Sequence, residues 1–188
     1  MESFIGPFVF LLIIGTIILS NYLSHYIGSN YYKNNKQNKI HDILQENIPD
    51  LHDYHFIIDI LGLLVLIPAF FYFNESLSVE FLTKFLIIMF IRAFTILATV
   101  LPKYENCDET FGFRSFFLGG CYDKIFSGHT SFVLLLTLFY FREHLINLPT
   151  LFAINIVNIL GIIATRSHYT IDVLLAIFVT TTIFNLQI

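Results

Sequence analysis

The sequence predicts an all-α fold: a polytopic membrane protein built as one six-transmembrane-helix bundle over residues 1–188. Three observations predict it. The 188 residues are 56% hydrophobic and only 13% charged, whereas a soluble domain carries about 25% charged residues. Mean hydropathy is +0.73. Several apolar stretches approach the roughly 20 residues that a helix needs to cross a bilayer. This composition excludes a disordered chain, a coiled coil and a water-soluble enzyme. The net charge of −4 and the ten Lys and Arg residues leave no basic patch large enough to engage nucleic acid.

The first span runs from Phe4 to Ile27. Its flanks do not read as a signal peptide, because Glu2 stands where a basic residue belongs and the apolar run is too long. A polar linker follows from Ser29 to Tyr54, with Lys33, Lys36 and Lys39. Its Asp42–Leu51 half is expected to form a short interfacial helix broken at Pro49. The second span covers 55–73, a tight turn covers Asn74 to Ser78, and the third span covers 79–101, ended by Pro102. Lys103 to Phe126 is a long loop rich in glycine and charge. The fourth span covers 127–146, the fifth 149–165 behind Pro149, and the sixth 168–187 after a turn at Arg166 and Ser167. Six crossings put the starts of the fourth and sixth spans on one membrane face. The linker after the first span and the loop after the third join them there. Four polar segments therefore converge on one side, as a site at a membrane surface requires.

Three groups of residues carry chemistry. Ser127-Gly128-His129-Thr130 opens the fourth span. Ser127 suits an N-cap, Gly128 permits close approach of an anion, and the free N–H groups of a helix start bind phosphate. His129 there can protonate an oxygen leaving phosphorus, or the four residues form an ordinary capped helix. His168-Tyr169-Thr170-Ile171-Asp172 opens the sixth span. His168 and Asp172 are four apart, so on a helix they share a face. The carboxylate can fix the imidazole tautomer and raise its nucleophilicity, or the pair can simply tie two helices together. A metal would need a third ligand, His129 or Asp123, and no zinc-type spacing accompanies them.

Arg92 lies deep in the third span, where an Arg must face the bundle or a polar cavity. It can bridge to Asp59 of the second span or grip a substrate phosphate. Arg166 is expected to be more exposed, and Lys103 and Lys124 to be solvated charges. Cys107 and Cys121 share one loop and pair if that loop faces an oxidising compartment; otherwise they are free thiols. His52 and His55 read as interfacial, and Asn155 and Asn158 as helix-packing residues. Two His, a paired carboxylate, two Arg and a helix N-terminus on one face fit phosphoryl transfer to or from a lipid. Nothing suggests a transporter.

Three blocks resemble the sphingomyelin synthase-related and phosphorylceramide synthase branch of the type-2 phosphatidic acid phosphatase superfamily. They are Arg92-x-x-Thr95-x-x-x-Thr99-x-Leu101-Pro102 with Cys107, Cys121-Tyr122-Asp123-x-x-Phe126-Ser127-Gly128-His129-Thr130, and His168-Tyr169-Thr170-Ile171-Asp172-Val173. Ile48-Pro49-Asp50 is similar to a looser upstream motif. The resemblance implies a catalytic triad of His129, His168 and Asp172. His168 would be the nucleophile that carries the headgroup as a phosphohistidine. Asp172 would support it, and His129 would exchange protons with the leaving and attacking oxygens. Arg92, Asp123, Ser127, Gly128, Arg166 and Tyr169 would meet the substrate phosphate or headgroup. The donor would be a glycerophospholipid bearing choline, ethanolamine or inositol, the acceptor ceramide, and the by-product diacylglycerol. No metal or organic cofactor is implied.

One departure is Tyr122, which stands where the family has glycine. A lipid phosphate phosphatase or phospholipase C-like hydrolase is the alternative within the superfamily, and an inactive lipid-binding protein the alternative outside it. The resemblance places the site on the lumenal or exoplasmic face of a Golgi, endoplasmic reticulum or plasma membrane. A count of Lys and Arg points the other way: Lys33, Lys36, Lys39, Lys103, Arg114, Lys124 and Arg166 lie on the site side, against Lys84 and Arg142. The resemblance is followed here.

Overall fold

The computed structural model describes residues 5–35, 40–103, 107 and 112–187. Lys36, Lys39 and the side chain of Arg114 lie outside the described residues. Every regular element among those described is helical: α1 (Ile5–Asn34), α2 (Ile43–Asn47), a 3-10 turn (His52–Tyr54), α3 (His55–Tyr72), α4 (Glu75–Ala98), α5 (Phe113–Leu118), α6 (Gly128–Arg142), α7 (Leu148–Ala164) and α8 (Thr170–Asn185).

Each of the six expected spans is present as a helix. Three segments, Ile5–Asn34, His52–Tyr72 and Glu75–Ala98, are long and apolar enough to cross a membrane. The other three helices are shorter, at 15, 17 and 16 residues for α6, α7 and α8. The protein is an integral membrane protein by these spans and by its surface. Apolar side chains such as Phe70, Phe71, Phe94, Phe152 and Phe178 point outward and stay exposed, an arrangement that suits contact with lipid.

Several boundaries shift for physical reasons. Helix α1 continues past Ile27 to Asn34, because its last turns still pack: the Tyr32 hydroxyl donates to the Val100 carbonyl at 3.2 Å. Asn74 caps α4 rather than sitting in a turn, its Oδ1 accepting from the Leu77 N–H at 2.8 Å, so α4 starts at Glu75. The interfacial helix shrinks to Ile43–Asn47 and ends at Ile48, ahead of Pro49. The loop before α6 contains a short helix, α5, that the sequence reading missed.

Helix α6 is the axis of the bundle. Val133, Leu135, Leu136 and Phe139 are wholly buried, and α3, α4, α7 and α8 pack around it. Helix α1 lies outside, along α4 and α5. At the end remote from the converging loops, Phe81 and Phe139 meet edge to face with ring centroids 5.6 Å apart. Below them Lys84 Nζ donates to the carbonyls of Phe184 (2.7 Å) and Leu186 (3.0 Å), a cation at the negative end of α8. Arg142 forks onto Glu80 at 2.7 and 2.8 Å.

Tyr122 is accommodated by a glycine on another helix. Its ring is buried, at 1% exposure, and stacks on Tyr32. It lies so close to Gly28 of α1 that any Cβ there would overlap the ring. Next to it, Cys107 and Cys121 form a disulfide with a Cα–Cα distance of 5.8 Å.

The notch at Gly28 yields a test. Gly28→Ala should destabilise the protein by about 1–3 kcal/mol, the usual cost of overpacking. Adding Tyr122→Gly should recover part of that loss, whereas two independent sites would simply add. Thermal unfolding in detergent of both single variants and the double variant measures the coupling.

Candidate active site

Four segments meet at the head of α6 and α8: α2, the loop Gly119–Phe126, and the two helix starts. The sequence at each explains its geometry. Before α8, the Tyr169 N–H donates to Asp172 Oδ2 at 2.8 Å, so the carboxylate turns back onto the helix N-terminus, where a negative charge is favoured. Asp172 is fully buried, and among the described residues its Oδ1 has no hydrogen-bond partner.

His168 precedes α8 instead of lying on it. Its approach to Asp172 comes from this cap and not from the helical face-sharing expected from the spacing. The Nδ1–Oδ2 separation is 3.5 Å, and Nδ1 makes its hydrogen bond to the Lys124 carbonyl, at 3.0 Å. A carbonyl oxygen only accepts. Nδ1 therefore carries the proton, and in the neutral ring Nε2 has the lone pair.

The backbone of His168 is held from three sides. Asp42 caps α2 through Leu44 and Gln45 N–H groups at 3.1 and 3.2 Å. The same carboxylate accepts the Thr170 N–H at 2.6 Å and the Thr170 hydroxyl at 2.7 Å. One side chain thus caps two helices. Gln45 Nε2 donates to the His168 carbonyl at 3.0 Å. Lys124 was expected to be solvated; it is buried, and its ammonium donates to the Ser167 carbonyl at 2.6 Å. Arg166 is more exposed than Arg92, as expected, but only slightly: its side chain is 9% exposed against 7%. It adopts a left-handed φ of 57°, and its guanidinium donates to the Ile48 carbonyl at 3.0 Å. Both cations fasten the turn before His168.

At the start of α6, Ser127 is the N-cap, accepting from the Thr130 N–H at 3.2 Å and the Thr130 hydroxyl at 2.9 Å. It is wholly buried, and its hydroxyl serves the cap. His129 points its Nε2 at Asp59 Oδ1, 3.0 Å away.

That pairing corrects the expected Arg92–Asp59 bridge. Helix α4 packs along α1 and carries Arg92 to that side. There Arg92 donates to Asp123 Oδ2 at 2.6 Å and to Asn21 Oδ1 at 2.9 Å. Arg92 is 5% exposed. Arg92 and Asp123, both expected to meet a phosphate, form a buried ion pair; Asp123 also lines a polar chamber and Arg92 an apolar pocket. Gly128 makes room for the ion pair, since a Cβ there would lie 3.4 Å from Arg92 Nε. Asp123 is seated by a turn at Gly119, whose φ of 90° suits glycine, and it accepts the Gly120 N–H at 3.1 Å. Tyr169 donates its hydroxyl to the Pro102 carbonyl at 3.3 Å.

Two cavities open at this junction. A polar chamber of about 370 Å³ is lined by His52, Asp53, His55, Lys124 and Arg166 among others. His52 and His55 thus belong to the chamber wall. An apolar pocket of about 230 Å³ lies among Ile17, Leu63, Phe85, Met89, Phe117 and Phe132. Asp59, His129 and His168 line both. Among the described residues, no three His, Cys, Asp or Glu side chains are grouped to hold a metal ion.

The sequence reading missed Asn21, Asp42 and Gln45, and it gave Asp59 the wrong partner. Asp59 had a usable signal, as an acid within an apolar span. Asp42 had one too, as an N-cap residue before Ile43. Nothing in the local sequence marks Asn21 or Gln45.

Residues 120–188 match the family described as PAP2 superfamily C-terminal. The matched stretch holds the Asp123 loop, α6, α7 and α8, and with them His129, His168 and Asp172. The match supports the type-2 phosphatidic acid phosphatase superfamily and a phosphatase or phosphotransferase activity on lipid phosphates. No curated protein matches the chain.

The Asp42 clamp yields a prediction. Hydrogen bonds to a charged group contribute about 1.5–3 kcal/mol, so Asp42→Ala should cost about 2 kcal/mol or more and lower turnover by freeing His168. Burial alone would raise the Asp42 carboxyl, but the bonds from Thr170, Gln45 and Leu44 outweigh it and leave it below the ordinary value of 3.8. A lowered folded-state pKa makes the clamp complete above that value and lost as pH falls below it. Limited proteolysis of the α2 segment at pH 7 and pH 5 should leave the native protein equally protected and the variant cleaved at both.

Proposed function

We propose that this protein moves a phospho-headgroup from a glycerophospholipid to ceramide through a phosphohistidine on His168. The observation that carries the proposal is the pairing across the two cavities. His168 offers a lone pair on Nε2, and the His129–Asp59 pair stands on the same junction between a polar and an apolar space.

In the first half-reaction, His168 Nε2 attacks phosphorus and the bond to the diacylglycerol oxygen breaks. Protonated His129 gives that oxygen its proton. Asp59 occupies His129 Nε2, so Nδ1 is the nitrogen that exchanges the proton. The phospho-His168 ring keeps its Nδ1 proton and carries a positive charge, which buried Asp172 offsets. In the second half, His129 Nδ1 takes the proton of the ceramide primary hydroxyl. The oxygen attacks phosphorus, the P–N bond breaks, and Nε2 regains its lone pair. Asp172 and Asp59 are positioning groups for the two rings. The positive end of α6 and the Lys124 and Arg166 side chains in the chamber wall favour an anionic phosphate there.

Three features support the finer reading. The three sequence blocks resemble those of the synthase branch, in the same order. The apolar outer faces of α7 and α8, with Phe152, Leu160, Leu174 and Phe178 exposed, suit six spans rather than three. The disulfide lies on the site side, which suits a lumenal or exoplasmic face. A hydrolase is the second reading, favoured by the polarity of the chamber, through which water reaches the junction.

The test uses membranes containing the native protein, His168→Ala or Asp59→Asn, given fluorescent ceramide and each donor lipid in turn. The proposal predicts a polar ceramide product from the native protein, none from His168→Ala, and a loss of about a hundredfold in kcat for Asp59→Asn, the usual scale of proton transfer. Phosphoalcohol or phosphate released without a ceramide product identifies the hydrolase instead.

A further inference from the structure

The structure contains a buried glycine whose missing side chain faces empty space. Gly62 sits in the middle of α3 and is buried, yet a Cβ built on it would meet no atom within 4 Å. The other interior glycines of the bundle are different. A Cβ at Gly28 would overlap Tyr122, and one at Gly161 would overlap Ile58. Those two let helices approach. Gly62 does no such service, although glycine weakens a helix relative to alanine and an interior is normally packed without gaps. What it leaves is the apolar pocket.

His129, His168 and Asp59 line the inner end of the pocket, which they share with the polar chamber, with Asp59 one turn of α3 before Gly62. Its walls include Phe85 and Met89 of α4 and Phe132 of α6. Ile17 of α1 and Leu63 of α3 also line it, and Leu63 is 63% exposed on the outer surface. Helix α1 packs on α4 and α5, and α3 on α6 and α7; no extended contact joins α1 to α3. The space therefore runs sideways from the hydrocarbon layer to the two imidazoles.

We propose that the gap between α1 and α3 is the lateral entrance of the lipid substrate, that the pocket holds the first methylenes of an acyl chain, and that Gly62 keeps this room open. The proposal rests on the phosphotransfer reading for what happens at the histidines, but the pocket and its occupant are testable without turnover. An acyl chain is the occupant the pocket suits: apart from the polar group of Asp59, Arg92, His129 and His168, its lining is glycine, aliphatic and aromatic residues, Leu63 at its edge is exposed on the outer surface, and Asp59, His129 and His168 join it to the polar chamber where a headgroup sits. A chain bound there puts the phosphoester linkage at the boundary of the two cavities.

The experiment uses native protein, Gly62→Phe and, as a control, Gly15→Phe in vesicles of phosphatidylcholine doped with phosphatidylcholine carrying a photoactivatable diazirine on one acyl chain. Gly15 lies on exposed α1 and its Cβ also meets nothing. After irradiation, adducts are mapped by mass spectrometry. The proposal predicts adducts on the pocket walls Met89 and Phe132 in the native protein and in Gly15→Phe. In Gly62→Phe these fall to background, while adducts on outward-facing Phe178 persist as a check on folding. Absence of Met89 and Phe132 adducts in the native protein, or their equal yield in Gly62→Phe, overturns it. A milder variant, Gly62→Leu, should give an intermediate yield and a raised KM with little change in kcat. Labelled pocket walls with no ceramide product would leave the pocket standing and sink the synthase reading; ceramide product with unlabelled walls would do the reverse.

Discussion

A guanidinium cannot stay charged inside an apolar bundle without a partner that is equally buried. Arg92 satisfies that demand by drawing two other segments to it: Asn21 from α1 and Asp123 from the loop before α6. Much of the site follows from this constraint. With Asp123 anchored, the loop through Lys124 has a set path, and the Lys124 carbonyl is delivered to His168 Nδ1. Arg92 lies against the first residue of α6, where a Cβ at position 128 would sit 3.4 Å from its Nε. The disulfide at Cys121 and the Tyr122 ring in the Gly28 notch pin the same loop from its other side. The Arg92 charge thus has a structural task, and through Asp123 and the loop it helps to bring the Lys124 carbonyl to His168.

The site is therefore built largely by backbone. His168 is oriented by a carbonyl, its own carbonyl is held by Gln45, and the turn before it is fastened by Lys124 and Arg166 bonding to main-chain oxygens. Side-chain carboxylates then divide the remaining work. Asp172 caps α8 and lies near the His168 ring, Asp42 caps α2 and α8 together, and Asp59 holds His129. Preorganisation of this sort is what phosphoryl transfer needs, because groups fixed in advance need not reorganise as charge moves. The two imidazoles end on the line where a polar chamber meets an apolar pocket, matching the polarity of a phospholipid split at its phosphoester.

The helices were legible because a run of apolar residues long enough for a membrane has few other uses, and because Ser127 and Pro149 mark helix starts locally. His129, His168 and Asp172 were legible for the same reason: polar groups at the head of apolar spans stand out. What stayed hidden was pairing. Whether Arg92 turns to Asp59 or Asp123 depends on which helix α4 packs along, and no local pattern encodes that. Lys124 looks like a loop charge in sequence, and only the fold shows it reaching the Ser167 carbonyl. Tyr122 read as a mismatch because its compensation, Gly28, lies on another helix nearly a hundred residues away.

The central claim is that His168 Nε2 becomes bonded to phosphorus. The most direct measurement supplies donor phospholipid radiolabelled at phosphorus, without acceptor, to protein that is then quenched in alkali, where a phosphohistidine survives better than in acid. The account predicts label retained on the peptide containing His168, lost on acid treatment, absent from His168→Ala and discharged by adding ceramide before the quench. Turnover with no label on that peptide, or with label on a different residue, would contradict it.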